Sequence, residues 1–276
     1  MSQKLYFKYD GTDLIENEID ANLLAESLNG LGDLIKETHK IVNGNDTEIQ
    51  VKVKAFEGGC FQYLIDVIQD PTANIEVLSA IGLTGTATAA SLMTWLERIK
   101  GQKIDTIALK QDGNCDITID NETFEAPSYA KDLLQSKVIR RSFDALMHKP
   151  LQSDGIDNLV VTDLERKPLI EIDKATSKAY KFQRQPIKKV TSEKIITQAN
   201  VDFLTIHKDK GQHWRISYQD EEYTVTIKDQ DFLNQLMVGK EKELLSQSYS
   251  VTLIIKENNT TGAKTYIIDE VEGPVT

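Results

Sequence analysis

The sequence is poor in the residues that build covalent or metal-based chemistry. It holds two cysteines and four histidines in 276 residues. Cys60 and Cys115 are too few for a disulfide scaffold and lack the spacing of a zinc site. Buried, reduced thiols are the expectation for both. His39 and His148 fall near the ends of predicted helices, where a cation meets the negative pole of the helix. His207 and His213 flank a predicted turn over Lys208–Gln212, and no carboxylate or thiol is placed by sequence to complete a metal set. No cofactor is expected.

Other absences exclude further classes. There is no phosphate loop: Gly239-Lys240 is followed by Glu241 and lacks the upstream glycine. There is no G-x-G-x-x-G after a strand, no G-x-S-x-G and no H-E-x-x-H. The N-terminal residues read as a strand, Lys4–Tyr9, without a basic segment and long apolar run, so a cytoplasmic location is expected. Basic residues are outnumbered, 32 against 43 acidic, for a net charge of −11 and a pI near 5.0. Neutralising phosphates needs clustered Lys and Arg, so nucleic acid is not the expected partner.

What is present is the composition of a folded chain, 40% hydrophobic and 27% charged. The length favours two domains. After Lys4–Tyr9 and the Asp10-Gly11 turn, Leu14–Ile19 reads as a returning strand. Asp20 caps a helix with Leu23, Leu24, Leu28, Leu31, Leu34, Ile35 and Ile41 on one face. Gly30 and Gly32 interrupt it at about 1 kcal/mol each relative to alanine, which predicts close packing against a neighbour. Glu48–Phe56 and Cys60–Ile68 read as a strand pair turned at Gly58-Gly59. Three short strands, Thr106–Lys110, Cys115–Ile119 and Glu122–Glu125, precede a helix from Pro127 to about Met147.

The chain changes character at Pro150–Gly155. Asn158–Thr162 and Leu169–Ile172 flank a polar turn, and Lys181–Lys189 reads as a basic, exposed linker. Val190–Ile206 is largely extended. A hairpin, Trp214–Tyr218 with Tyr223–Lys228, leads to a short helix, Asp231–Val238, ended by Gly239. A last hairpin, Tyr249–Lys256 with Thr265–Val271, follows. This is the rhythm of a small barrel or sandwich. The predicted class is α+β: an N-terminal mixed sheet with long helices over 1–150, and a C-terminal β-rich, barrel-like or sandwich-like module over 151–276.

Val77–Leu96 contains no ionisable residue. Its length matches a bilayer span, but 12 of its 20 residues are Gly, Ala, Ser or Thr, and its large residues sit at the two ends. A lone transmembrane helix needs its apolarity at the centre, whereas small residues suit close helix packing. A buried or oligomer-packing helix is the first expectation, with Gly82, Gly85, Ala89 and Trp95 as the assembly or membrane segment. A conditionally membrane-inserting helix is the alternative, and two short helices broken near Gly82–Gly85 are the third.

Two polar features stand out. Asp154, Asp157, Asp163 and Glu165-Arg166-Lys167 resemble the carboxylates-then-E-x-K pattern of metal-dependent nucleases, in which carboxylates hold Mg²⁺ and a lysine polarises water. A solvated turn before Pro168 is the competing reading. Lys181, Arg184, Lys188 and Lys189 form a candidate partner surface. Trp214, Tyr218 and Tyr223 fit either a barrel core or a stacking platform.

Several stretches resemble an uncharacterised bacterial protein family often associated with mobile genetic elements. They are Phe56–Gly59 leading into Phe61–Ile68, Pro150-Leu151 through Asp157, and His213–Ile216. Thr224–Asp229 with Asp231-Phe232-Leu233, Tyr249–Ile255 and Tyr266–Val271 complete the set. The resemblance implies a bacterial setting, phage-related or defence-related, and no activity. The expected function is a non-enzymatic, self-associating interaction protein, a homo-oligomer with a protein partner. A membrane-disrupting effector inserting residues 77–96 and a metal-dependent nuclease are the alternatives.

Overall fold

The computed structural model describes residues 2–11, 19–54, 62–85, 91–184, 186–207, 211–237 and 244–275. The Gly58-Gly59 turn, Cys60, Ala89, Gly239 and most of the strand expected over Leu14–Ile19 lie outside them. The chain divides into two compact units, Met1–Asp105 with Thr118–Lys188, and Thr106–Ile117 with Lys189–Thr276.

The first unit begins with β1 (Ser2–Asp10), α1 (Ala21–Asn43), β2 (Ile49–Lys54) and β3 (Gln62–Gln69). Two short helices follow, α2 (Val77–Ile81) and α3 (Leu92–Ile99). Strands β4 (Ile104–Leu109) and β5 (Asn114–Ile119) lend their Thr106–Ile117 portion to the second unit. β6 (Glu122–Pro127), α4 (Ala130–Gln135), α5 (Lys137–Phe143), β7 (Asn158–Thr162) and β8 (Pro168–Asp173) complete the first. Its sheet has the order β2-β3-β1-β7-β8, with every neighbour antiparallel. The expected mixed sheet is therefore corrected. β7 is recruited beside β1, pairing Phe7 with Val161 and Tyr9 with Leu159. The first unit thus runs on past the boundary expected at residue 150.

Alternation in β1 sorts the two faces. Leu5, Phe7 and Tyr9 are buried with Tyr63, Ile65 and Val67 of β3 and Leu159 and Val161 of β7. The Tyr9 hydroxyl donates to the Leu146 carbonyl at 2.8 Å and shares a 2.5 Å hydrogen bond with Ser27 of α1, which fixes α1 on this face. Lys4, Tyr6 and Lys8 point the other way, and the Arg166 guanidinium lies 3.6 Å over the Tyr6 ring.

Among the described helices only α1, at 23 residues, is long. Asp20 starts it by accepting the N–H groups of Asn22 and Leu23, each at 2.9 Å. Gly30 brings α1 against α5, since a Cβ there would lie 3.1 Å from Ala145 Cβ and from the Ser142 carbonyl. Gly32 has nothing so close. The single helix expected over Pro127–Met147 is split, because Ser136 adopts an extended ψ and its hydroxyl accepts the Ile139 N–H, starting α5 anew. α5 then continues into one π-helical turn, Asp144–His148.

Val77–Leu96 is not one helix either. Gly82 takes a left-handed φ of 104° and ends α2, with the N–H groups of Gly82 and Leu83 both donating to the Leu78 carbonyl. Ser91 caps α3 by accepting the Thr94 N–H. Val77, Leu78, Ile81, Leu83, Leu92, Met93, Trp95 and Leu96 are all buried. The third of the three expectations, two short helices, describes this segment.

The second unit is built on β9 (Ile187–Phe203), β10 (Trp214–Tyr218), β11 (Glu221–Ile227), α6 (Gln230–Met237), β12 (Ser248–Asn258) and β13 (Lys264–Pro274). The order β10-β11-β13-β12-β9 closes into a five-stranded barrel when β10 pairs back onto β9 at Phe203–Ile216 and Asp202–Ser217. β11 and β13 run parallel over Tyr266–Ile268 and the other barrel pairs are antiparallel. Of the two C-terminal expectations, the barrel holds. Its core holds Phe203, Trp214, Ile216, Val225, Val251, Leu253 and Ile268.

Candidate functional site

In the barrel unit a cleft of about 710 Å³ opens between α6, the start of β12 and the end of β13. Its size is that of small-ligand and peptide pockets. Asp229 fixes its geometry. Oδ1 accepts the Phe232 N–H at 2.9 Å, capping α6, and Oδ2 accepts the Val271 N–H at 3.0 Å, tying the helix to β13. Phe232 is thereby held over the barrel core. Its ring stacks on Phe203 at 5.6 Å and lies edge-on to Tyr249 at 6.5 Å. Leu236, Leu244 and Val271 extend this apolar floor.

The rim is acidic. Asp231, Asp269, Glu270 and Glu272 line the cleft beside Asp229, and among the described residues no Lys, Arg or His does. Glu272 accepts the hydroxyls of Ser250 at 2.7 Å and Thr252 at 3.3 Å. Neither hydroxyl cancels its charge. The β11–β13 pairing stops at Ile268, so β13 from Asp269 to Pro274 stays paired with β12 but leaves β11 and lines the cleft.

The residues singled out from sequence lie elsewhere. Gly82 is a helix terminator, and Trp95 is fully buried. Gly85 has a φ of 72°, and a Cβ there would meet Leu169 at 2.8 Å. Trp95 thus lies in the interior of the first unit, whereas Gly82 is half-buried and Gly85 exposed. Lys181 and Arg184 are exposed, with Phe182 between them held by its N–H to Asp144 at 3.1 Å. Lys188 pairs with Asp105 at 2.6 Å, and this partner raises its pKa. Pro186 is buried, and β9 takes up Lys188 and Lys189, so the tract is not a free linker.

The nuclease-like pattern does not converge. Asp163 Oδ1 accepts the N–H groups of Glu165 and Lys167 at 2.9 Å, a closed Asx-type turn, while Asp157 pairs with Lys174 at 3.2 Å. Among the described residues no group of three or more His, Cys, Asp or Glu is placed to hold a metal ion. His39 bonds Thr47 at 2.9 Å and His148 lies 3.4 Å from Ser177, both structural contacts. The His207 ring lies against Trp214. Trp214 is buried in the barrel, so it is core and no stacking platform. Cys115 is buried and reduced.

Sequence reasoning missed the cleft. Asp229 and Asp231 stand at the start of the expected short helix, Asp269 and Glu270 fall in the last expected strand, and Glu272 lies just past its end. Only the topology, which sets α6 beside the end of β13, gathers them. Comparison of the chain with protein-family models, with curated proteins and with solved structures finds no match. No helix among the described residues is long and apolar enough to cross a membrane.

Proposed function

We propose that the chain is a non-enzymatic interaction protein whose C-terminal barrel docks a protein partner in the cleft between α6 and β13. The observation that carries this reading is an open cleft of about 710 Å³ whose apolar floor continues into the barrel core. The barrel connectivity supports it. A five-stranded closure with a helix between the third and fourth strands is the OB-type arrangement, a scaffold for recognition sites on varied surfaces. Function follows the site and not the scaffold. The outward residues of β10 and β11, among them Arg215, Glu222 and Thr224, include no aromatic and pair Arg215 with Glu222. That face lacks the stacking groups single-stranded nucleic acid requires.

A photo-crosslinking residue at Gln235, exposed on α6 and lining the cleft, tests the proposal in the native cell. A discrete adduct from Gln235 and none from Thr224 on the outer face of β11 is the expected outcome. An adduct of twice 31.1 kDa identifies the partner as a second copy of the chain. No adduct at Gln235, or equal labelling from both positions, overturns the reading.

A further inference from the structure

We propose that the cleft takes a flexible, lysine- or arginine-rich segment of the partner. This rests on the reading of the cleft as the docking site and names the chemistry of its occupant.

The argument starts from charge. Asp231, Asp269, Glu270 and Glu272 meet around one depression, and among the described residues no basic side chain lines it. Asp231, Asp269 and Glu270 have no ion pair or side-chain hydrogen bond with a described residue. Like charges gathered at a concave surface raise the local concentration of cations and repel anionic partners. A compact inorganic cation is not the fitting occupant, because these carboxylates do not approach one another as a metal-ligand set. Their spread suits several cationic groups carried on one segment.

The floor specifies what kind of cation. Phe232 and Tyr249 are half-buried rings at the cleft, with Leu236 and Val271 beside them. Ammonium and guanidinium groups are attracted to aromatic faces. Their aliphatic stems cover apolar surface while the charged ends reach a polar rim. A lysine or arginine side chain therefore uses both parts of this cleft, where an aliphatic segment would use the floor alone.

The strand edge specifies the form of the segment. β13 continues for six residues past its last pairing with β11, along one wall of the cleft. An extended segment can lie along that wall and alternate its side chains between rim and floor.

The test uses the full chain and two labelled probes, a peptide alternating lysine with serine and its glutamate–serine counterpart. Fluorescence anisotropy should show the lysine peptide binding and the glutamate peptide not binding. The paired substitution Asp269→Lys with Glu270→Lys should weaken binding at least tenfold. Glu222→Lys with Glu257→Lys changes net charge equally on other parts of the barrel and should leave binding unchanged. Equal loss in both pairs would mean nonspecific attraction to an acidic protein and overturns the inference. Failure of the lysine peptide, with the Gln235 crosslink intact, sinks the cationic occupant and leaves the docking reading standing. Failure of both removes the site.

Discussion

Asp229 accepts the backbone N–H of Val271 at 3.0 Å, joining the start of α6 to a strand 42 positions later. Its second oxygen caps the same helix at Phe232. One carboxylate thus builds a wall of the cleft and seats an aromatic of its floor. Replacing it leaves two N–H groups without their acceptor. Asp229→Ala should destabilise the protein by about 1–3 kcal/mol, the cost of losing a helix cap and a charged hydrogen bond. Denaturant unfolding followed by tryptophan fluorescence measures it. A loss under about 0.5 kcal/mol, the range of an unremarkable surface substitution, would show that Asp229 does not hold this junction.

Gly30 makes a steric prediction in the first unit. The contacts at 3.1 Å involve the α5 backbone and the Ala145 methyl, neither of which can swing away. Gly30→Leu should force α1 from α5 at about 1–3 kcal/mol or more. Gly32→Ala, with nothing close to its Cβ, should stabilise by up to about 1 kcal/mol through helix propensity. Thermal melts of the two variants should move in opposite directions. Parallel shifts would refute the close approach.

Local chemistry was legible in the sequence, and long-range closure was not. Asp20 was readable as the start of α1, and the alternation of Lys4–Tyr9 as a strand. Trp214 was readable as a barrel aromatic, with core and stacking platform both open. These depend on neighbours a few residues away. Gly82 and Ser91 carry the signals that split Val77–Leu96, yet the absence of charge over that whole stretch suggested one continuous helix. Ser136 similarly had to outweigh the apolar stripe of Leu133, Leu134, Ile139 and Phe143. The pairing of β7 with β1 joins positions about 150 apart, and no periodicity encodes such a choice. The same holds for the cleft, whose acidic residues come from two elements separated by the whole of β12.

Arg140 is a buried cation. It is 2% exposed, and its Nη1 and Nη2 have no hydrogen-bond partner among the described residues. Burial pushes its pKa down from 12.5 to about 10. An unpaired buried charge opposes folding by several kcal/mol, whereas an apolar chain of similar length incurs no such penalty. Arg140→Met should therefore raise the midpoint of thermal unfolding by a few degrees. A lowered midpoint would mean that the guanidinium makes stabilising interactions with bound solvent or ligand that outweigh its desolvation.

Alkaline pH addresses the tyrosines buried in the first unit. Tyr9, Tyr63 and Tyr180 all have raised pKa values, chiefly because burial disfavours the phenolate. At Tyr180 the effect is reinforced by the hydrogen bond its hydroxyl donates to Glu97 at 2.6 Å and by the charge of that carboxylate. The native state therefore keeps three protons that the unfolded chain releases near pH 10. Their stabilising contribution is complete below that value and is lost as pH rises past it. Absorbance at the phenolate band should show these tyrosines ionising together with loss of tertiary structure, in one transition. A smooth titration of all nine tyrosines at their ordinary pKa, with the fold intact, would contradict their burial.

The last prediction concerns residues 77–96. Membrane insertion of this segment would expose eight large apolar side chains that now form core, Trp95 among them. Lipid would rebury these side chains, but the core partners they leave behind would face water or voids, and eight vacated positions at roughly 2–5 kcal/mol each cost on the order of 10 kcal/mol or more. That equals the whole stability of an ordinary domain, so insertion demands unfolding of the first unit. The folded protein should accordingly leave dye-loaded anionic and neutral vesicles intact. Trp95→Ala, which opens a cavity worth about 3–5 kcal/mol, should lower stability without creating leakage below its own melting transition. Leakage by the wild-type chain at a temperature where its near-ultraviolet circular dichroism remains native would require an insertion route that spares the core. It would return the uncharged segment to the membrane reading.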